Sequence, residues 1–184
     1  MASRKDGSDL GCFALLLLAG GLVFAYNLLL NWWTARSFES ILPEAKQLCN
    51  TVMSHSSMTA AHRTGPVLLV HADSGRIHGE FRGLNPSVRA TNSADVATIA
   101  CLQESRSSAG RYTDGAVGYV IVWEVSLIDL KGEHFVGAGR FRGSSPPRVK
   151  KSGGSRTGDP PKEELRRWFV NLPVRTLSNP TPTE

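Results

Sequence analysis

Cysteine is scarce in this chain: three in 184 residues, too few for a disulfide framework. No Cys-x-x-Cys and no His-Glu-x-x-His occurs, which removes the common zinc spacings. Gly-Lys-Ser/Thr is missing, so there is no P-loop, and no Gly-x-Ser-x-Gly elbow offers a hydrolase nucleophile. Every Asn-x-Ser/Thr has proline in the middle, so nothing marks a glycosylated ectodomain. A bacterial envelope setting fits that absence better.

Charge is missing too, but only locally. Residues 10–35 carry none, and the run includes Leu15 to Leu18 and Leu28 to Leu30. As a helix, 26 residues would extend roughly 39 Å, more than a ~30 Å hydrocarbon layer requires. The run is too long for the apolar core of a cleavable signal, and Trp32-Trp33 stand where an aromatic belt would meet headgroups. The expectation is therefore a single transmembrane helix over 10–35, behind a short tail at 1–9. Flanking cations barely discriminate its direction, but a short tail before a long domain suits a signal anchor with the domain exported. Gly20, Asn27 and Asn31 lie on one seam of that helix, where asparagine would contact a second span, in a homodimer or another membrane protein. The alternative is that Asn27 bonds its own backbone and Asn31 sits at the interface.

If Cys12 is in the membrane, Cys49 and Cys101 are the only cysteines left to pair. Buried free thiols are the expectation, since cysteine is a common core residue, with one bridge as the alternative in an oxidising space.

What the chain does have is a skewed distribution of cations. Its net charge of +5 splits into +7 between Gly139 and Arg175 and −2 elsewhere. Within that segment, residues 144–161 are rich in Ser, Pro, Gly and Lys, and read as an exposed, mobile basic loop. Arg148, Lys150, Lys151 and Arg156 in it are candidate contacts for an anionic lipid, an anionic polymer or an acidic protein.

Hydrophobic periodicity supplies the rest. Phe38, Ile41, Leu42, Ala45, Leu48 and Val52 recur at three and four, an amphipathic helix within 36–64 that Pro43 kinks or restarts before a polar linker. Strands are expected near 67–73, 76–82, 96–104, 117–130 and 134–142. The strongest is 117–130, apolar on both faces as a central strand must be. Lys131-Gly132 reads as a two-residue turn, with glycine supplying positive φ. That register sets Ile128 against Phe135 and Trp123 against Arg140. Asp159 is expected to cap a helix bearing Leu165, Trp168, Phe169 and Leu172, and 176–184 to be disordered.

The expected fold is thus α+β: a transmembrane helix, then a small antiparallel sheet packed on a C-terminal helix, in a globular region spanning 65–175. An echo between 79–86 and 139–146, which share Gly, Phe, Arg, Gly and Pro, raises the prospect of two related hairpins.

His71, Asp73 and the distant His134 imitate a two-histidine, one-carboxylate iron site, the basis of an alternative in which the chain is a small tethered metal enzyme. The leading expectation is a non-enzymatic envelope binding module, with no cofactor.

Overall fold

The computed structural model describes residues 21, 25–26, 29, 32–34, 36–52, 61–148 and 154–175. The chain divides into two compact units, Met1–Glu39 and Ser40–Glu184.

In the first unit the described residues up to Ser37 are helical. Trp32 and Trp33 meet edge to face at 5.9 Å, and the Arg36 guanidinium lies 5.1 Å from the Trp32 ring centre. Among the described residues no helix is long and apolar enough to cross a membrane, which corrects the expected span. Most of 10–35, with Gly20, Asn27 and Asn31, lies outside the described residues, so the proposed helix–helix seam is not seen.

The second unit begins with α1, Leu42–Val52. Pro43 stands in its first turn, where a missing N–H costs nothing, so it restarts the helix rather than kinking it. Ile41, Ala45, Leu48 and Cys49 are buried at helical spacing.

The sheet has β1 (Val67–His71), β2 (Thr98–Arg111), β3 (Val117–Asp129), β4 (His134–Arg142) and a two-residue β5 (Arg156–Thr157). The main order is β1-β2-β3-β4, with β5 alongside β3. It is mixed, not antiparallel as expected: β1 runs parallel to β2, and β5 parallel to β3. The reason lies in residues 72–97, which return the chain to the start of β2 without pairing as a strand.

The strand expected over 76–82 does not form. Gly79–Gly83 is a 3-10 helix with His78 as its N-cap, the His78 Nδ1 accepting the Glu80 N–H at 3.1 Å. Two glycines in five residues weaken strand pairing, and a capping imidazole favours the turn. Since residues 139–142 are strand, the two echoed segments fold differently, and the repeat is not structural.

Register also departs from expectation. Ile128 does face Phe135, but a bulge follows between β3 and β4, after which Trp123 faces Phe141 and Glu124 faces Arg140. Gly137 explains the slip: its φ is +146°, and a Cβ there would fall 2.3 Å from the Ala61 Cα. Only glycine fits that combination of bend and close approach. In the preceding turn, positive φ belongs to Glu133 (50°) rather than Gly132, whose N–H donates to Asp129 Oδ2 at 2.7 Å.

Alternation in this register gives the sheet two covered faces. Leu69, Ala100, Leu102, Trp123, Val125 and Leu127 share one. Against it lie the 3-10 helix and α2, Lys162–Asn171, whose Trp168 meets Phe141 at 5.2 Å. Leu165, Phe169 and Leu172 are buried as expected. Asp159 is not the cap of α2, because the N-cap position is Pro161, which offers no side-chain acceptor. Asp159 instead accepts the Ser144 N–H on its carbonyl and donates its own to Ser144 Oγ.

The other face carries Cys101 and receives α1. Here Cys49 and Cys101 form a disulfide, with Cα atoms 5.5 Å apart, correcting the expectation of free thiols. Both cysteines are fully buried, so a seat that suited a pair of thiols holds a bond. Residues 53–60 and 176–184 lie outside the described residues, as do 149–153 of the basic loop.

Candidate functional site

The residues of the suggested iron site do not converge. His134 pairs with Asp129, which faces Thr98, which in turn faces Val67, so His134 lies level with the start of β1. His71 is at the opposite end of that strand, four residues on, or ~13 Å along it. Asp73 does not continue β1; it is exposed in the turn that follows. Among the described residues no group of three or more His, Cys, Asp or Glu could hold a metal ion.

His71 instead packs at a tilt against a histidine that sequence reasoning passed over. Its ring lies 4.4 Å from that of His78, and His78 meets Trp123 edge-on at 5.3 Å. Trp123 Nε1–H donates to Glu104 Oε2 at 2.9 Å, across a directly opposed β2–β3 pair. His78 is buried, and burial with the adjacent His71 pushes its pKa down to about 4 despite Glu80 and Glu104 nearby. With Nδ1 accepting from Glu80 N–H, the neutral ring carries its proton on Nε2.

Glu80 ties this cluster to α2. Lys162 Nζ lies 2.9 Å from one carboxylate oxygen, and Arg166 donates to the other at 2.7 Å. Burial would raise the Glu80 pKa, but the Lys162 and Arg166 hydrogen bonds outweigh it and hold the group below its ordinary value. Arg166 also reaches Glu163 at 2.9 Å. The charged groups of this set pair with one another, with Arg166 Nε buried and unbonded among the described residues, which describes an ion-paired junction between sheet and helix.

The basic loop leads to a different place. Ser144 to Arg148 runs beside the far end of the β2–β3 hairpin, and Tyr112 Oη donates to the Pro147 carbonyl at 2.6 Å. Between them is a cleft of about 290 Å³ lined in part by Ala109, Arg111, Tyr112, Pro146 and Arg148. Gly118 forms its floor, where a Cβ would meet the Pro146 ring at 2.7 Å. Among the described residues no acid lines it, and neither Arg111 nor Arg148 makes an ion pair. Comparison with protein-family models, curated proteins and solved structures gives no match.

Of the four cations proposed from sequence, Arg148 lines this cleft. Arg156 is partly ordered by β5, which pairs with Gly118 and Tyr119 of the same arm. Lys150 and Lys151 lie outside the described residues. Arg111 and, further back on β2, Arg106 were missed, because a compositional search for basic runs overlooks cations spread along a strand. The signal was present in 103–111, polar but for Ala109 and Gly110, a sequence that extends a strand without supplying a core.

A larger cleft, about 740 Å³, lies between the end of β4 and the start of α2. Arg142, Lys162 and Arg167 line it, but so do Asp159, Glu163 and Glu164. Its charges cancel, and Lys162 and Glu163 are already engaged with Glu80 and Arg166. The smaller cleft is the more selective one for an anion.

Proposed function

We propose that this chain is a binding module, not an enzyme, working outside the cytoplasm and engaging an anionic partner with the basic end of its β2–β3 arm. The observation that carries this is the acid-free cleft shared by Arg111 and Arg148. Two guanidiniums with no ion pair among the described residues, set beside a tyrosine ring and a proline-rich strap, recognise phosphate or carboxylate groups through charge-assisted hydrogen bonds. Lys150 and Lys151 follow Arg148 within three residues, so the sequence after it is basic too. The buried Cys49–Cys101 bond supports an oxidising compartment, where such bonds persist.

The test is co-sedimentation of the full-length chain with phosphatidylglycerol vesicles, phosphatidylcholine vesicles and inorganic polyphosphate at low and physiological salt. Binding should require negative charge and should weaken as the Debye length falls to ~8 Å. Charge reversal in the pair Arg111→Glu and Arg148→Glu should reduce it at least about tenfold. Equal binding of wild type and the reversed pair at low salt would refute the assignment.

A further inference from the structure

We infer that the anionic partner is an extended acidic polypeptide that adds as a strand to the open edge of β2. The inference rests on the basic arm proposed above and names the chemistry it recognises.

The parallel ladder places His71, the last residue of β1, opposite Leu102, whereas β2 runs on to Arg111. Residues 103–111 are all exposed. On one side they pair with β3; on the other, among the described residues, no strand accompanies them. The direction of that free side is fixed by the Ala72 N–H, which donates to the Leu102 carbonyl at 2.9 Å. A period of two then aims the N–H and C=O of Glu104, Arg106 and Ser108 the same way. This row of alternating donors and acceptors, repeating every ~6.8 Å, is matched by another backbone. A phosphate headgroup or a polyphosphate chain has acceptors only and cannot satisfy the carbonyls.

The edge is protected only by the charges of Glu104, Arg106 and Arg111 and by a bulge at its far end. Residues 103–111 contain no proline and no lysine, and Ser105, Ser107, Ser108 and Ala109 leave room for a neighbour. The pairing stretch ends at the bulge between Ser108 and Gly110, so about six residues are available. Charge selects the occupant. Arg106 lies within this stretch and Arg111 just beyond it, at the mouth of the cleft with Arg148. The nearby acids are exposed but engaged: Glu104 accepts from Trp123, and Asp114 Oδ1 accepts the Ala116 N–H at 3.2 Å. A strand with acidic residues on alternate positions would meet Arg106 on one face while its backbone completes the ladder.

The full-length chain is titrated with three probes: a twelve-residue peptide alternating Glu and Val, the same peptide methylated at every backbone nitrogen, and one alternating Lys and Val. The methylated peptide has the same charge but no peptide N–H on either edge and cannot form a ladder. Binding of the Glu–Val peptide should be at least about tenfold tighter than either control, and it should slow hydrogen exchange at the Arg106 and Ser108 amides. Ser108→Pro, which deletes an edge-facing N–H while sparing the bonds to β3, should remove that preference. Equal binding of the two acidic peptides, or equal binding of the Lys–Val peptide, overturns strand addition even if anions are still bound. Binding of phosphatidylglycerol vesicles with no peptide binding also overturns it, and leaves the basic arm as a lipid or polymer site. If no anionic probe binds, both proposals fail together.

Discussion

His78 should make this fold acid-sensitive in a window where carboxylates contribute little. The unfolded chain protonates this imidazole near 6.5, whereas burial beside His71 lowers the folded value to about 4. Between those values the unfolded state binds more protons, so stability is fully present above about pH 6.5 and is lost as pH falls toward 4. At ~1.36 kcal/mol per unit, the loss amounts to about 3 kcal/mol, a large share of a small domain's stability. The groups facing the ring are His71, Glu80, Glu104 and Lys162, and Trp123 closes the remaining side. Glu80 acts at lower pH. Its folded pKa is depressed below 4.5, so its contribution is present above that value and is lost only as pH falls through the depressed one. Urea unfolding of the full-length chain, followed by far-ultraviolet circular dichroism at half-unit steps from pH 7 to 4, separates the two. His78→Gln keeps an acceptor for the Glu80 N–H but cannot titrate. It should be less stable at pH 7 and show a flatter profile between 6.5 and 4.5. If wild type and His78→Gln lose stability in parallel over that range, the imidazole is not the acid-sensitive group.

The disulfide closes a loop with a sequence separation of 52, so chain-entropy arguments give about 4 kcal/mol for Cys49→Ala with Cys101→Ala, measured as a shift in urea midpoint. Gly137→Ala should cost about 2 kcal/mol or more, through unfavourable φ and contact with Ala61, while the exposed Gly154→Ala, also at positive φ (94°) but with open space around it, should cost less.

The parts legible in the sequence were those governed by local periodicity. Val117 to Asp129 alternates apolar residues on both faces, and Leu165, Phe169 and Leu172 recur at helical spacing, so β3 and α2 stand where expected. Non-local choices were not legible. That β1 lies parallel to β2 depends on how 72–97 crosses the sheet, and its turns are set by single residues such as His78. The Trp123–Arg140 pairing failed because one glycine at a bulge shifts every later pair, a change invisible to alternation counted from the turn. The pairing of Cys49 with Cys101 depends on which face of the sheet α1 occupies, a tertiary fact without a sequence signature. For the site, Arg148 was reachable as part of a basic run. Arg111 becomes its neighbour only because the Pro146-Pro147 strap folds back over the hairpin end.

The disulfide also decides how the domain carries mechanical load. It joins α1 directly to β2, bypassing the linker and all of β1. A pull applied at Leu42 and at Arg175 would therefore pass through sulfur into the middle of the sheet, bypassing the covalent path through the intervening 51 residues. Oxidised, the domain can release no length from that span, a saving of ~180 Å of extended chain. Reduced, the same pull would run along the chain to Arg63, whose bridge to Val174 must part before β1 is peeled from the edge and the inner flank of β2 is exposed. Thiol chemistry thus sets the order in which the sheet comes apart under tension, without altering its folded form.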